Sequence, residues 1–225
     1  MGQYALLGDD ARSRLCAVRF LGWSLKPCGC GLWRAPPILP PNPPIFQPFG
    51  FDISPHCQFW LCDQILNAAD RESIHQVVHC KAFGTFCLYF SIEFGATTDD
   101  TRVEDEKRVV ENRLAAAGAV SLFNRCQLKL DAYPHPTPEQ LKLVRHYGLT
   151  MEKEDWALWR FEPKIANDAW AGCTMRYLLG HTCRAKGGIR ILLSWINEIH
   201  RWGLCEYALG CKEDVKQILS RSEDP

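Results

Sequence analysis

A mixed α/β domain is the fold class this sequence predicts, and three observations predict it. Residues 85–94 form an almost unbroken apolar run rich in aromatic and branched side chains, the signature of a buried strand. Residues 102–125 carry Val103, Val110, Leu114, Ala117 and Leu122 at helical spacing, behind an acidic first turn of Glu104, Asp105 and Glu106. Two β-rich segments, 141–150 and 156–161, flank the polar turn Met151-Glu152-Lys153-Glu154 and read as a hairpin. The order helix, strand, helix, strand, hairpin, helix alternates the two element types as a mixed α/β core does.

Taken from the N-terminus, eight of the fourteen prolines fall between Pro27 and Pro48. Proline fixes φ and removes an amide donor, so this stretch reads as an extended, disordered proline-rich segment, and residues 1–48 are expected outside the folded core. Residues 63–78 read as a helix with Ile65, Leu66, Ala69, Ile74 and Val77 near one face. After the strand and the long helix, a short strand is expected at 126–130, followed by a turn rich in proline (Pro134, Pro136, Pro138). The small run Ala115-Ala116-Ala117-Gly118-Ala119 would let the helix lie close to a sheet. A loop with Trp170, Gly172 and Gly180 then precedes a last helix at 189–202, with Ile189, Leu192, Leu193, Ile196 and Ile199 on its apolar face. Residues 49–211 are thus the expected domain and 212–225 a polar tail.

Composition narrows the functional classes. A chain of 225 residues with 47% hydrophobic residues can bury a substantial core. The 26 basic and 26 acidic residues cancel, so nucleic acid binding would need a local patch rather than a global basic surface. Asp9 and Asp10 precede the first apolar run, Arg19 interrupts it, and Leu6 stands where myristoylation needs Ser or Thr. No run is long enough for a membrane span. An intracellular protein, cytoplasmic or nuclear, with reduced thiols is expected. The twelve cysteines then read mainly as small buried hydrophobes.

The chemistry starts at Glu93, a lone carboxylate at the end of the apolar strand. A Mg²⁺-dependent phosphodiesterase holds its hard cation with two or more carboxylates, and the metal activates water and neutralises charge developing on phosphate. Asp63 and Asp70 are the upstream acids available to join Glu93, with Glu93 and Asp70 as the first choice of metal ligands. The plain alternative is a solvated strand-end acid.

The segment Leu88-Tyr89-Phe90-Ser91-Ile92-Glu93-Phe94 and the helix ending Ala115 to Arg125 resemble the core of fungal PD-(D/E)XK nuclease-like proteins. The later pieces follow in the same order: Tyr147-Gly148-Leu149-Thr150 with Trp156-Ala157-Leu158-Trp159, then Trp170 to Met175, then Leu193 to Trp202. The resemblance spans residues 67–204. It implies a restriction-endonuclease-like core sheet flanked by helices, Glu93 as the motif glutamate, and Mg²⁺-dependent hydrolysis of nucleic acid. The motif lysine belongs at position 95, where this chain has Gly95. A cation from the following helix, Lys107, Arg108 or Arg113, would have to replace it, so the resemblance implies a weakened or inactive nuclease. Its rival is a non-catalytic binding protein on the same scaffold.

A third possibility is zinc. Cys57, Cys62, His75 and His79 match the spacing of a zinc finger, and two histidines four apart share a helix face. Cys28 and Cys30 are too close in sequence for an ordinary disulfide and have no histidine near them in the chain, so they read as incidental. His181 with Cys173 and Cys183 lacks an orienting group. Trp156, Trp159, Phe161, Trp170, Trp195 and Trp202 read as core aromatics rather than a base-stacking surface.

Overall fold

The computed structural model describes residues 17–37, 53–81, 84–95 and 103–222, with side chains from residue 107 onward in the last span. The prolines from Pro40 to Pro48, the polar stretch 97–101 and the side chains of the acidic turn 104–106 lie outside the described residues.

Six strands form one mixed sheet in sequence order: β1 (Ala17–Leu21), β2 (Cys57–Cys62), β3 (Thr85–Phe94), β4 (His146–Glu152), β5 (Asp155–Ala166) and β6 (Ala169–Thr182). Neighbours are antiparallel except β3 and β4, which run parallel and are joined by the long helix α2 (Val103–Ala132). A parallel pair needs such a crossover, because a tight turn cannot bring the second strand back in the same direction. Between β2 and β3 lie a 3₁₀ turn, the short helix α1 (Ala68–Ser73) and a second 3₁₀ turn. The chain closes with α3 (Pro138–Leu141) before β4, then α4 (Lys186–Trp202), one π-helical turn at Gly203–Tyr207, and α5 (Ala208–Ser222).

Helices cover both faces of the sheet. Gly148 on β4 and Gly118 on α2 mark how closely α2 approaches: a Cβ on Gly148 would meet the Leu114 side chain at 2.8 Å, and one on Gly118 would meet the Phe161 ring at 2.6 Å. The small residues of α2 therefore do what their size allows. On the opposite face, Tyr147 meets Trp202 at 5.0 Å between ring centroids, and Tyr89, Phe90 and Tyr207 join the same core. Tyr89 and Phe90 are consecutive yet both meet His200, because β3 carries an extra residue relative to β2 at Tyr89 and at Cys87. Cys87 takes a left-handed conformation (φ +50°), which is how a bulge absorbs a residue.

Several expectations need correction. The 63–78 segment is not one helix; Asn67 caps α1 through a bond from the Asp70 amide, and the turns on either side are 3₁₀. Residues 126–130 are helical rather than a strand. Leu122, Arg125, Lys129 and Ala132 are buried at spacings of three and four, and that stripe continues α2. The segment 169–182 is β6, whose exposed edge position tolerates Gly172 and Gly180.

The ends differ as well. Residues 17–37 belong to the packed structure, with Phe20, Leu25 and Trp33 buried against Trp60, Leu88 and Val120. Residues 212–222 are the body of α5 rather than a polar tail, anchored by buried Cys211, Asp214 and Val215.

Candidate functional site

Glu93 is buried to 1% exposure near the end of β3, on the α2 side of the sheet. Its pairing with Thr150 sets that direction, since Gly148, two residues earlier on β4, is the position that touches Leu114 of α2. A cleft of about 530 Å³ opens there, lined by Ile53, Ser54, His56, Glu93, Asn112 and Arg113, among others. The sheet register places His56 there. Cys57 of β2 pairs with Ile92, so the residue before it comes alongside Glu93.

His56 Nδ1 lies 2.7 Å from Glu93 Oε2. The Phe94 amide also donates to His56 Nδ1, at 3.3 Å. Burial raises the Glu93 pKa, against the lowering influence of the His56 side chain, the Arg113 charge and the His56 backbone. The His56 side chain is 44% exposed, so its ring is open to a ligand. Arg113 and Asn112 add further donors from α2. Phe94, 42% exposed, sits edge-on to the His56 ring at 5.6 Å.

The other nominated residues are elsewhere. Asp63 follows the far end of β2, where Cys62 pairs with Thr85; its carboxylate would touch a Cβ placed on Gly84. Eight residues of strand separate Thr85 from Glu93, about 26 Å at the usual rise. Asp70 is beyond the same end, bonded to the Asn67 side chain. Lys107 is exposed on α2, six residues before Arg113, or about 9 Å along the helix. Of the nominated set, only Glu93 and Arg113 line the cleft. Among the described residues no second carboxylate does, so the described lining does not support a Mg²⁺ site built on oxygen ligands.

The zinc-finger set is not brought together either. Cys57 and Cys62 occupy opposite ends of β2, about 16 Å apart by strand rise, and burial pushes the Cys57 thiol up to about 11. Only His79 of the four belongs to a ligand-distance group. Cys28 Sγ, Cys30 Sγ and a His79 ring nitrogen all lie within 4.8 Å of one another, a group that could bind a metal. Cys28 and Cys30 are joined in a disulfide, contrary to expectation; their Cα atoms are 5.3 Å apart, within the ordinary range. The turn that brings them round is closed by the Gly31 amide bonding to the Cys28 carbonyl. His79 is remote in sequence but adjacent in space.

Sequence reasoning missed His56 and Cys28–Cys30–His79. Neither has a local signal, since each depends on contacts across 37 and 49 residues. Of the aromatics expected in the core, Trp156, Phe161 and Trp202 are buried, while Trp159, Trp170 and Trp195 are half-buried. No described helix is long and apolar enough to cross a membrane. Comparison with family models, curated proteins and solved structures finds no match to this chain.

Proposed function

We propose that this chain is a nuclease-like protein that binds the phosphodiester backbone of nucleic acid without Mg²⁺-dependent cleavage. The observation that carries this is the Glu93–His56 contact: an imidazole stands where a catalytic site would need a second carboxylate, and it engages the first. Beside it Arg113 and Asn112 line the cleft with donors that suit an anion. Arginine matches a phosphate in shape as well as charge. Exposed Phe94 beside His56 offers a face on which a base can stack. Support for the nuclease-like scaffold comes from three consecutive antiparallel strands followed by the β3–α2–β4 crossover, with Glu93 near the end of β3. Gly95, two residues on, lacks the lysine such a site uses.

Fluorescence anisotropy with labelled single- and double-stranded oligonucleotides tests the reading. Binding should weaken as salt rises, and Arg113→Ala should reduce affinity about tenfold, the loss of one charge-assisted contact. Mg²⁺ or Mn²⁺ should produce no cleavage. Absence of binding sinks the proposal, and cleavage that Glu93→Gln abolishes replaces it with an active nuclease. The double variant His56→Asp, Gly95→Lys should gain Mg²⁺ affinity. A Cβ at 95 comes closest to the Cγ of Glu152, at 3.0 Å, a flexible side chain that can yield, with the Glu152 Cα and Cβ at an ordinary 3.5 Å.

A further inference from the structure

We propose that Cys28, Cys30 and His79 form a thiol-gated zinc site: reduced, the two sulfurs and the imidazole hold one Zn²⁺, and oxidised, the Cys28–Cys30 disulfide excludes it. The ligand set suits the ion. Two thiolates and a neutral imidazole are soft to borderline donors that select Zn²⁺ over Mg²⁺ or Ca²⁺, and a water can take the fourth position.

Geometry supports it independently of the Glu93 cleft. Cys30 Sγ is 3.9 Å from His79 Nδ1. Two ligands sharing a tetrahedral zinc, with bonds near 2.3 Å to sulfur and 2.0 Å to nitrogen, lie about 3.5 Å apart, so a small shift closes the site. The imidazole is already positioned, with Trp33 at 5.2 Å and Trp60 at 6.4 Å between ring centroids. A small cavity of about 90 Å³ runs alongside His79, bounded by Trp33, Gln127 and Asp131. Cys30 is exposed and Cys28 half-buried, so a reductant can reach the bond.

The chemistry balances. A dithiol reductant delivers two electrons and two protons to the Cys28–Cys30 bond and becomes a disulfide itself. Zinc binding then releases the two thiol protons. In the metal-bound state the segment carrying β1 is tied to the turn after α1 through His79, so thiol redox state controls how firmly residues 24–34 are held.

The full chain is the sample for the test. Zinc is titrated against a chromophoric chelator before and after reduction with a phosphine, and cysteines are mapped by alkylation and mass spectrometry with and without Zn²⁺. One equivalent should bind after reduction and none before, with Zn²⁺ slowing alkylation of Cys28 and Cys30 at least tenfold while Cys205, also exposed, is unaffected. His79→Ala and Cys30→Ser should each abolish the equivalent, whereas His75→Ala should leave it intact. Equal binding before and after reduction overturns the proposal, as does protection of Cys57 and Cys62 in place of Cys28 and Cys30. The alkylation map needs no variant, so it decides the matter even where a substitution unfolds the chain.

Discussion

Two carboxylates in this molecule are almost equally hidden from water, and they are held in opposite ways. Asp214 on α5 is fully buried and faces two cations from α2: Arg125 NH1 donates to it at 2.6 Å, and Lys129 Nζ donates to its other oxygen. Glu93 is buried to nearly the same degree, yet it meets one half-exposed imidazole at the wall of an open cleft. Desolvation penalises both. At Asp214 two cations compensate it, whereas at Glu93 burial outweighs the partners and raises the pKa. Burial alone therefore does not mark a functional acid. Incomplete compensation next to accessible space does.

The largest effect that can break this contrast is Asp214→Ala. It would leave Arg125 and Lys129 facing each other in the core, and burial already lowers the Lys129 pKa. Removing one partner of a buried charge set costs about 3–5 kcal/mol, so the unfolding free energy from denaturant titration should fall by that amount. A change under 1 kcal/mol would mean the network is hydrated and the contrast is false.

Acid should then act on groups that burial keeps neutral. His146 is held down to about 3 and His200 to about 4, both by burial. His146 Nδ1 lies 3.4 Å from the Leu88 carbonyl, and His200 Nδ1 lies 2.8 Å from Tyr89 Oη. Folded values below the unfolded value of 6.5 mean that stability is complete above pH 6.5 and declines as pH falls from there toward 4. Each group contributes a slope of about 1.4 kcal/mol per pH unit. His146→Leu should remove its share, measured as unfolding free energy against pH. An unchanged slope would show that another group carries it.

Glu93 has the opposite sign. Its folded pKa is raised, so its contribution is complete below the ordinary glutamate range and is lost as pH rises through the folded value. Glu93→Gln should flatten that part of the curve. If Glu93→Gln steepens the loss, Glu93 is ionised in the folded state and the donor-lined cleft is misread. The smallest effect belongs to Lys107→Ala. That exposed residue lies away from the cleft, so oligonucleotide affinity should change less than twofold and stability by less than about 0.5 kcal/mol. A large loss would extend the cleft along α2.

Much of the frame is legible in the chain. The apolar run 85–94 and the hairpin turn at Lys153 have local causes, burial on both faces in one and a left-handed φ in the other. The helical stripe through Leu114 and Ala117 is equally local, and so is the apolar face of α4. Boundaries were less legible. Lys129 and Arg125 look like surface residues until Asp214 is folded against them, so neither the last turns of α2 nor the body of α5 could be read as core.

Sequence by itself determined that this is a mixed α/β protein with a lone acid at the end of a buried strand and no lysine at position 95, because periodicity and residue identity are local properties. Tertiary structure alone decided what stands beside that acid. Antiparallel pairing of β2 with β3 sends Asp63 to one end of the strand and His56 to the other. An imidazole is therefore what Glu93 meets at the wall of the cleft. Cys28, Cys30 and His79 meet for the same reason: pairing and packing set distances that spacing along the chain does not encode.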